Sequence, residues 1–295
     1  MNERNYYETN GYFVERNLFS NDLIDRLLKS YKDKIVPSNY PFFRQNTNEY
    51  EPNELNEFGH VNQAFLDIHD YNKFPEFSTA AKEIFCNDAI QDALRKITGS
   101  NEFNLMQTML FDANAETVPH QDWYYLDTVP NGHLTAAWIA LEDIDERAGR
   151  FYIIPKSIDV DLHSDTPKLP HSKWLSRMKE YVEANKDKIE APALNKGDVL
   201  FWNSRTIHGA LPTVDKSFSR NSLTAHYIPS EYKFGNLFTT KDYINYKTYK
   251  GVKFYRNQPD YSLLNKFKFG VKQAVYDSPQ IMQIIRKVQP KLWKK

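Results

Sequence analysis

Hydrophobic positions in the first hundred residues recur at helical spacing. After Ser20 or Asn21, either of which can cap a helix, Leu23, Ile24, Leu27 and Leu28 fall on one face, and the pattern predicts a helix to about Ile35. Residues 38–58 lose that periodicity and are rich in Asn, Pro and Glu, the composition of an irregular loop. Ala80, Ala81, Ile84, Phe85, Ile90, Ala93 and Leu94 then predict a helix over 77–97, with Gly99 as its stop. Beyond residue 100 the runs become short and β-like, at 103–111, 134–141, 151–154, 198–202 and 222–228. Turn residues separate them, as in an all-β barrel or sandwich. One helical stretch, 169–184, carries Trp174, Leu175, Met178, Tyr181 and Val182 and reads as an insertion between strands. No internal repeat is visible. The pattern divides the chain into a helical part over 1–100, a β core over 101–232 and an extension over 233–295.

Composition adds three constraints. A chain of 295 residues with 41% hydrophobic and 15% aromatic content can bury a large core and is globular rather than disordered. A single cysteine, Cys86, excludes an internal disulfide and any multi-cysteine metal cluster. The polar N-terminal stretch lacks a secretory pattern, and no apolar run approaches the roughly 20 residues that span a bilayer, so a soluble cytoplasmic protein is expected.

The formal net charge is zero, but it is unevenly placed. Residues 233–295 hold 14 Lys and Arg against three Asp, so the first 232 residues carry the opposite excess. Ile281, Ile284, Ile285 and Val288 share one helical face in this basic tail, and Trp293 lies near its end. That suits peripheral contact with an anionic membrane surface. Tyr and Phe interleaved with Lys between Tyr243 and Phe269 fit stacked nucleic-acid bases less well, because the core motifs already describe a small-molecule site.

Those motifs begin at His120-Gln121-Asp122. On a strand, i and i+2 project to the same side, so His120 and Asp122 are expected to face one barrel mouth together. His208, 86 positions after Asp122, offers a third ligand from another strand. Two imidazoles and one carboxylate bind Fe(II) and leave positions open for a chelating 2-oxo acid and O2. Twelve residues further on, Arg220 has the planar fork that grips a carboxylate bidentately. His226, in an alternating run, is expected to pack behind the ligands. His60, His69, His133, His163 and His171 are expected at the surface. Trp123, Tyr124, Tyr125 and Asp127 follow the proximal ligands and are candidates to flank a substrate.

With these pieces in order, the chain resembles the phytanoyl-CoA dioxygenase family of Fe(II)/2-oxoglutarate-dependent oxygenases, roughly over residues 103–229. The matching segments are Pro119-His-Gln-Asp-Trp, Ala136-Ala-Trp-Ile-Ala-Leu-Glu-Asp, Gly149-Arg-Phe-Tyr-Ile-Ile-Pro, Lys196-Gly-Asp-Val-Leu-Phe-Trp, Ile207-His-Gly-Ala, and Arg220 before Thr224-Ala-His-Tyr-Ile-Pro. The resemblance implies a double-stranded β-helix (a cupin-like jelly roll) with flanking helices. It implies His120, Asp122 and His208 as iron ligands, Arg220 on the distal carboxylate of 2-oxoglutarate, and Gln107 and Trp138 beside the co-substrate.

Two departures qualify it. Ala148-Gly149 and Pro155-Lys156-Ser157-Ile158 replace the usual Asn-Gly and Pro-Gly-Ser-His, so no substrate carries over. Asp122 is not the small residue of related halogenases, which favours hydroxylation. The leading expectation is a hydroxylase of a small polar or glycan/lipid-linked metabolite. The alternatives are an oxygenase tailoring a natural product, such as an amino-acid or alkaloid skeleton, and a non-catalytic metal-binding jelly roll that senses a ligand.

Overall fold

The computed structural model describes residues 2–45, 47–163 and 169–256. Its main sheet has eight strands: β1 (Tyr12–Glu15), β4 (Phe65–Leu66), β5 (Phe103–Phe111), β7 (Thr135–Ala140), β9 (Val199–Asn203), β11 (Ser222–Pro229), β13 (Lys247–Tyr249) and β14 (Val252–Phe254). They run in the order β1-β9-β7-β11-β5-β14-β13, with β4 also paired to β5. Short pairs complete the fold: β8 (Phe151–Ile153) with β10 (His208–Ala210), β6 (Asp127–Val129) with β12 (Lys233–Gly235), and β2 (Phe42–Phe43) with β3 (Tyr50–Glu51). Apart from the β13–β14 hairpin and the β4–β5 pair, neighbours in the main sheet are not consecutive in sequence, as in a double-stranded β-helix. The five β-like runs expected from the sequence are β5, β7, β8, β9 and β11, with ends shifted by one residue at most.

Alternation along these strands separates two apolar layers. The cross-strand row Val199, Ile139, Leu223 and Leu110 faces outward with Phe201, Ala225 and Tyr227 into a core shared with the helices. The rows Leu200–Trp138–Thr224–Met109 and Trp202–Ala136–His226–Gln107 face inward, where Trp138, Leu200, Trp202 and Ile228 form a second cluster. Because directly paired residues share a face, this register decides which side chains can reach a site inside the barrel.

The helices cover the outer layer. In α2 (Asn21–Ser30) the apolar face continues through a π turn, Tyr31–Ile35, so Ile35 is buried as its spacing predicts. The helix expected over 77–97 is two helices, α3 (Pro75–Phe85) and α4 (Asp88–Thr98). The break occurs because Asn87 leaves helical geometry and its side chain caps α4, accepting from the Ala89 N–H at 2.9 Å. Gly99 ends α4 in the left-handed conformation. The segment 38–58 is not wholly irregular, since it contains the β2–β3 hairpin.

The N-terminal segment closes one edge of the barrel. After α1 (Glu3–Asn10), Gly11 turns at φ 79° and its carbonyl accepts from Thr206 Oγ1 at 2.6 Å and the Asn203 N–H at 2.9 Å. A Cβ there would sit 2.4 Å from Thr206 Oγ1, so the close docking of β1 on β9 requires glycine. The amphipathic helix and Trp293 expected in the tail lie outside the described residues. No described helix is long and apolar enough to cross a membrane.

Two histidines expected at the surface are buried. His163 packs against the Tyr124 ring and edge-on against Phe238. His69 Nδ1 lies 2.8 Å from Thr108 Oγ1 and its Nε2 2.9 Å from the Tyr255 carbonyl, joining the segment before α3 to β5 and to the residue after β14. The polar partners of His69 lie 39 and 186 residues away in sequence, so periodicity could not reveal its burial. Burial pushes the His69 pKa down from 6.5 to about 4. Between those values the unfolded chain binds a proton that the folded one refuses, so stability falls as pH drops from 6.5 towards 4. Denaturant melts at pH 7 and pH 4 should show wild type losing about 3 kcal/mol more than His69→Gln over that interval.

Candidate metal centre

His120 and His208 are joined backbone to backbone in an antiparallel bridge, with both N–H···O distances 3.0 Å. The ladder continues from His208 to Ile153 and from Ile153 to Glu190. It brings the imidazole centroids to 4.2 Å. Asp122 reaches them differently from the expected strand geometry. Gln121 is extended, but Asp122 opens a 3-10 turn, Asp122–Tyr124, rather than continuing a strand. The chain bends there because the Gln121 amide is held by the carbonyls of Val160 and Arg205, and the Trp123 N–H binds the Ser204 carbonyl.

The donor atoms of His120, Asp122 and His208 all lie within 4.8 Å of one another. Asp122 Oδ1 is 3.4 Å from His120 Nε2 and 3.5 Å from His208 Nε2. Oδ2 turns the other way, accepting from Trp202 Nε1 at 2.8 Å and lying 3.6 Å from His226 Nε2. Each ligand histidine also has its tautomer fixed. His120 Nδ1 donates to the Val118 carbonyl at 2.8 Å and His208 Nδ1 to the Thr206 carbonyl at 2.9 Å, so both Nε2 lone pairs face the carboxylate.

Electrostatics support the same assignment. Burial alone would raise the Asp122 pKa, but the neighbouring His208, His120 and His226 outweigh it and hold the carboxyl well below its usual range. Burial lowers the His208 pKa in spite of Asp122. An ionised carboxylate with a neutral imidazole is the protonation state that a divalent metal needs. The donor set, its fixed lone pairs and its bonded outer oxygen fit Fe(II).

Arg220 is buried among apolar groups. Its Nη1 donates to the Gly149 carbonyl at 3.0 Å, its guanidinium lies 5.7 Å from the Phe111 ring, and its Nε has no partner. Burial lowers its pKa from 12.5 to about 10, which leaves it charged at neutral pH. No carboxylate among the described residues pairs with it. Arg220 lies two residues before β11, in the same sequence parity as the inward-facing Thr224 and His226. Trp138 lies in the Thr224 row and Gln107 in the His226 row, both on the inward face.

The substrate candidates separate. Tyr125 is 41% exposed at the mouth, with its ring 5.8 Å from His120 and its hydroxyl 2.7 Å from His171 Nε2. Trp123 is turned inside, its Nε1 bound to Gln121 Oε1 at 3.0 Å and Arg205 against its ring. Asp127 is wholly buried and accepts from the backbone N–H groups of Thr128, Gly132 and Leu134 and from the Ser204 hydroxyl. Those bonds occupy its lone pairs, so it fixes a loop instead of meeting a substrate.

Tyr124 stacks at 4.2 Å on Trp174 of α5 (His171–Ala184), the helix predicted as an insertion. The insertion thereby braces the turn that carries Asp122. Sequence reading missed Trp202 and Gln121 as supports. Only their adjacency to the motifs hinted at it, since indole and amide contacts across the barrel leave no periodic signal. Replacing Trp202 by Phe removes the N–H that orients Asp122 Oδ2. Anaerobic titration should show Fe(II) affinity reduced about 10–100-fold, with the fold retained by circular dichroism.

Comparison with known proteins agrees with this geometry. The profile of the family described as Phytanoyl-CoA dioxygenase (PhyH) matches residues 7–221. Human peroxisomal phytanoyl-CoA dioxygenase is 25% identical over 251 residues, covering 78% of this chain and 69% of that protein. A Danio rerio phytanoyl-CoA dioxygenase domain-containing protein 1 is 28% identical over 191 residues, 60% of this chain and 58% of its own length. In fold, the epimerase SnoN in complex with Fe3+, alpha ketoglutarate and nogalamycin RO aligns at a TM-score of 0.59 and 15% identity, over 87% of this chain and 95% of that one. EctD from S. alaskensis with 2-oxoglutarate and 5-hydroxyectoine aligns at 0.56 and 17% identity, over 79% of this chain and 77% of that one. The matched span contains His120, Asp122, His208 and Arg220, and the chain belongs to the phytanoyl-CoA dioxygenase family.

Proposed function

We propose that this dioxygenase holds Fe(II) on His120, Asp122 and His208 and 2-oxoglutarate on Arg220, and hydroxylates a C–H of a small polar metabolite, free or linked to a glycan or lipid. Succinate and CO2 are the co-products. The observation that carries this reading is the pairing of a three-residue donor cluster with a buried, charged Arg220 that meets no carboxylate among the described residues. When bound, the iron supplies oxygen activation and C–H cleavage.

The chain's own residues do the rest. The Gly149 carbonyl fixes the guanidinium plane of Arg220, which leaves its remaining N–H groups to align a dicarboxylate inside the barrel. Trp202 and His226 hold Asp122 Oδ2, so Oδ1 stays turned towards the two Nε2 atoms. Tyr124, Trp174 and His171 pack into an aromatic wall that excludes water beside the mouth, and Tyr125 closes over His120. That rim of phenol and imidazole supports a substrate with ring or C–H faces and hydroxyl groups. The charge of residues 233–295 supports, in addition, a peripheral contact with an anionic membrane surface.

Two measurements test the reading. Anaerobic addition of Fe(II) and 2-oxoglutarate should give a visible charge-transfer band that Asp122→Ala abolishes, and a protein that binds iron without the band would overturn it. Arg220→Lys keeps charge but loses the fork. It should weaken 2-oxoglutarate binding about 10–100-fold while leaving iron affinity within about twofold. For the tail, sedimentation with anionic vesicles should retain the full chain and release one truncated before residue 279; equal partitioning would exclude the contact.

A further inference from the structure

Outside the metal centre, the described surface holds a groove of about 490 Å³ lined by Tyr6, Tyr12, Phe13, Arg16 and Glu190, among others. That is room for a small molecule. Nothing in the proposed reaction uses it, yet its floor leads to the iron ligands. Tyr6 and Tyr12 meet edge to face at 5.6 Å, and the Tyr6 hydroxyl donates to that of Tyr12 at 2.8 Å. The Tyr12 hydroxyl in turn donates to Glu190 Oε2 at 2.5 Å. Tyr12 of edge strand β1 is paired directly with Trp202 of β9, and both side chains belong to the inward cluster. Trp202 lies 4.9 Å from the His208 ring and donates to Asp122.

Three oxidisable rings therefore follow one another from the groove to a metal ligand: Tyr6 meets Tyr12 ring to ring, Tyr12 is the cross-strand partner of Trp202 on the same face, and Trp202 meets the His208 ring. Tyrosine loses an electron readily only if its phenolic proton has somewhere to go, and Glu190 is that acceptor for Tyr12. Burial and the Glu190 contact raise the Tyr12 pKa, so the phenol keeps its proton at rest. Ordinary packing would explain any one of these contacts, but not their continuity from an open groove to Asp122.

Building on the iron reading above, we propose that Tyr6, Tyr12 and Trp202 form an electron relay from this groove to the iron, through which a small water-soluble one-electron donor rescues iron left over-oxidised when O2 is activated without a substrate C–H to attack. Trp202 gives one electron to the iron and is refilled by Tyr12, whose proton passes to Glu190. The donor in the groove then returns an electron, directly or through Tyr6, and Glu190 returns the proton. Two passes would deliver two electrons, matched by two protons from solvent, which is the balance needed to release the activated oxygen as water. The donor is oxidised by one electron per pass.

The test loads wild type, Tyr12→Phe and Tyr6→Phe anaerobically with Fe(II) and 2-oxoglutarate, checks the charge-transfer band, and admits O2 without substrate. Freeze-quench electron paramagnetic resonance should show a tyrosyl radical in wild type that ascorbate shortens and that Tyr12→Phe lacks. Peptide mass spectrometry should find oxidation at Trp202 and the 118–125 segment raised at least threefold in Tyr12→Phe. Tyr6→Phe, at a half-exposed position, should retain the radical but respond less to ascorbate. A normal band with no radical in wild type, or with radical yield and oxidation map unchanged in Tyr12→Phe, would overturn the relay and leave the iron reading standing. Absence of the band in wild type would instead overturn the iron reading, and the relay with it.

Discussion

The buried charge of Asp122 is the constraint on which the rest of the site depends. A carboxylate taken out of water costs several kcal/mol unless its oxygens are met by donors or cations. Here the two oxygens are met separately. Trp202 and His226 attend Oδ2 on the barrel side, and the two Nε2 atoms stand opposite Oδ1. That division sets the inward row of the main sheet, because Trp202 and His226 must occupy the same cross-strand line. A one-residue slip of β9 or β11 would turn one of them outward and leave Oδ2 without its partner.

A second layer holds the backbone around that charge. Gln121 anchors the bend to carbonyls on two loops, Tyr124 stacks on the inserted α5, and Gly11 ties the N-terminal turn to Thr206, two residues before His208. Segments that look peripheral along the chain, namely the first dozen residues and the 171–184 insertion, therefore fix the turns on either side of the ligands. Arg220 depends on the same scaffold through Gly149. That residue sits at positive φ with a Cβ position 2.4 Å from the Leu211 carbonyl, so the carbonyl facing Arg220 is held by a turn that only glycine fits.

The main inward strands and the His-Asp-His cluster are legible in the sequence because each has a local signature: short β-like runs bounded by turn residues for β5, β7, β9 and β11, and a His-x-Asp pair with a distant His-Gly. What escaped had no local signature. Strand β1 spans four residues and exists because β9 offers it an edge. The break between α3 and α4 lies inside an unbroken apolar pattern and is decided by the Asn87 cap. Asp127 has the sequence context of a substrate ligand, yet a turn closing on its carboxylate made it structural. His69 is buried against the surface expectation because its partners, Thr108 and Tyr255, are 39 and 186 residues away. Periodicity shows which face is apolar, but not which polar groups will meet across a barrel.

The reciprocal backbone bonds between His120 and His208 bear on metal choice. They set the spacing of the two imidazoles by a β-ladder that involves no ion, and two carbonyls fix the lone pairs. A pocket held in that way cannot select iron by closing around it. Affinity for such nitrogen and oxygen donors rises from Mn(II) through Fe(II) to Cu(II), with Zn(II) also above Fe(II). Zinc and copper would therefore compete for the same donors, and occupation by iron would rest in part on the metal supply of its surroundings.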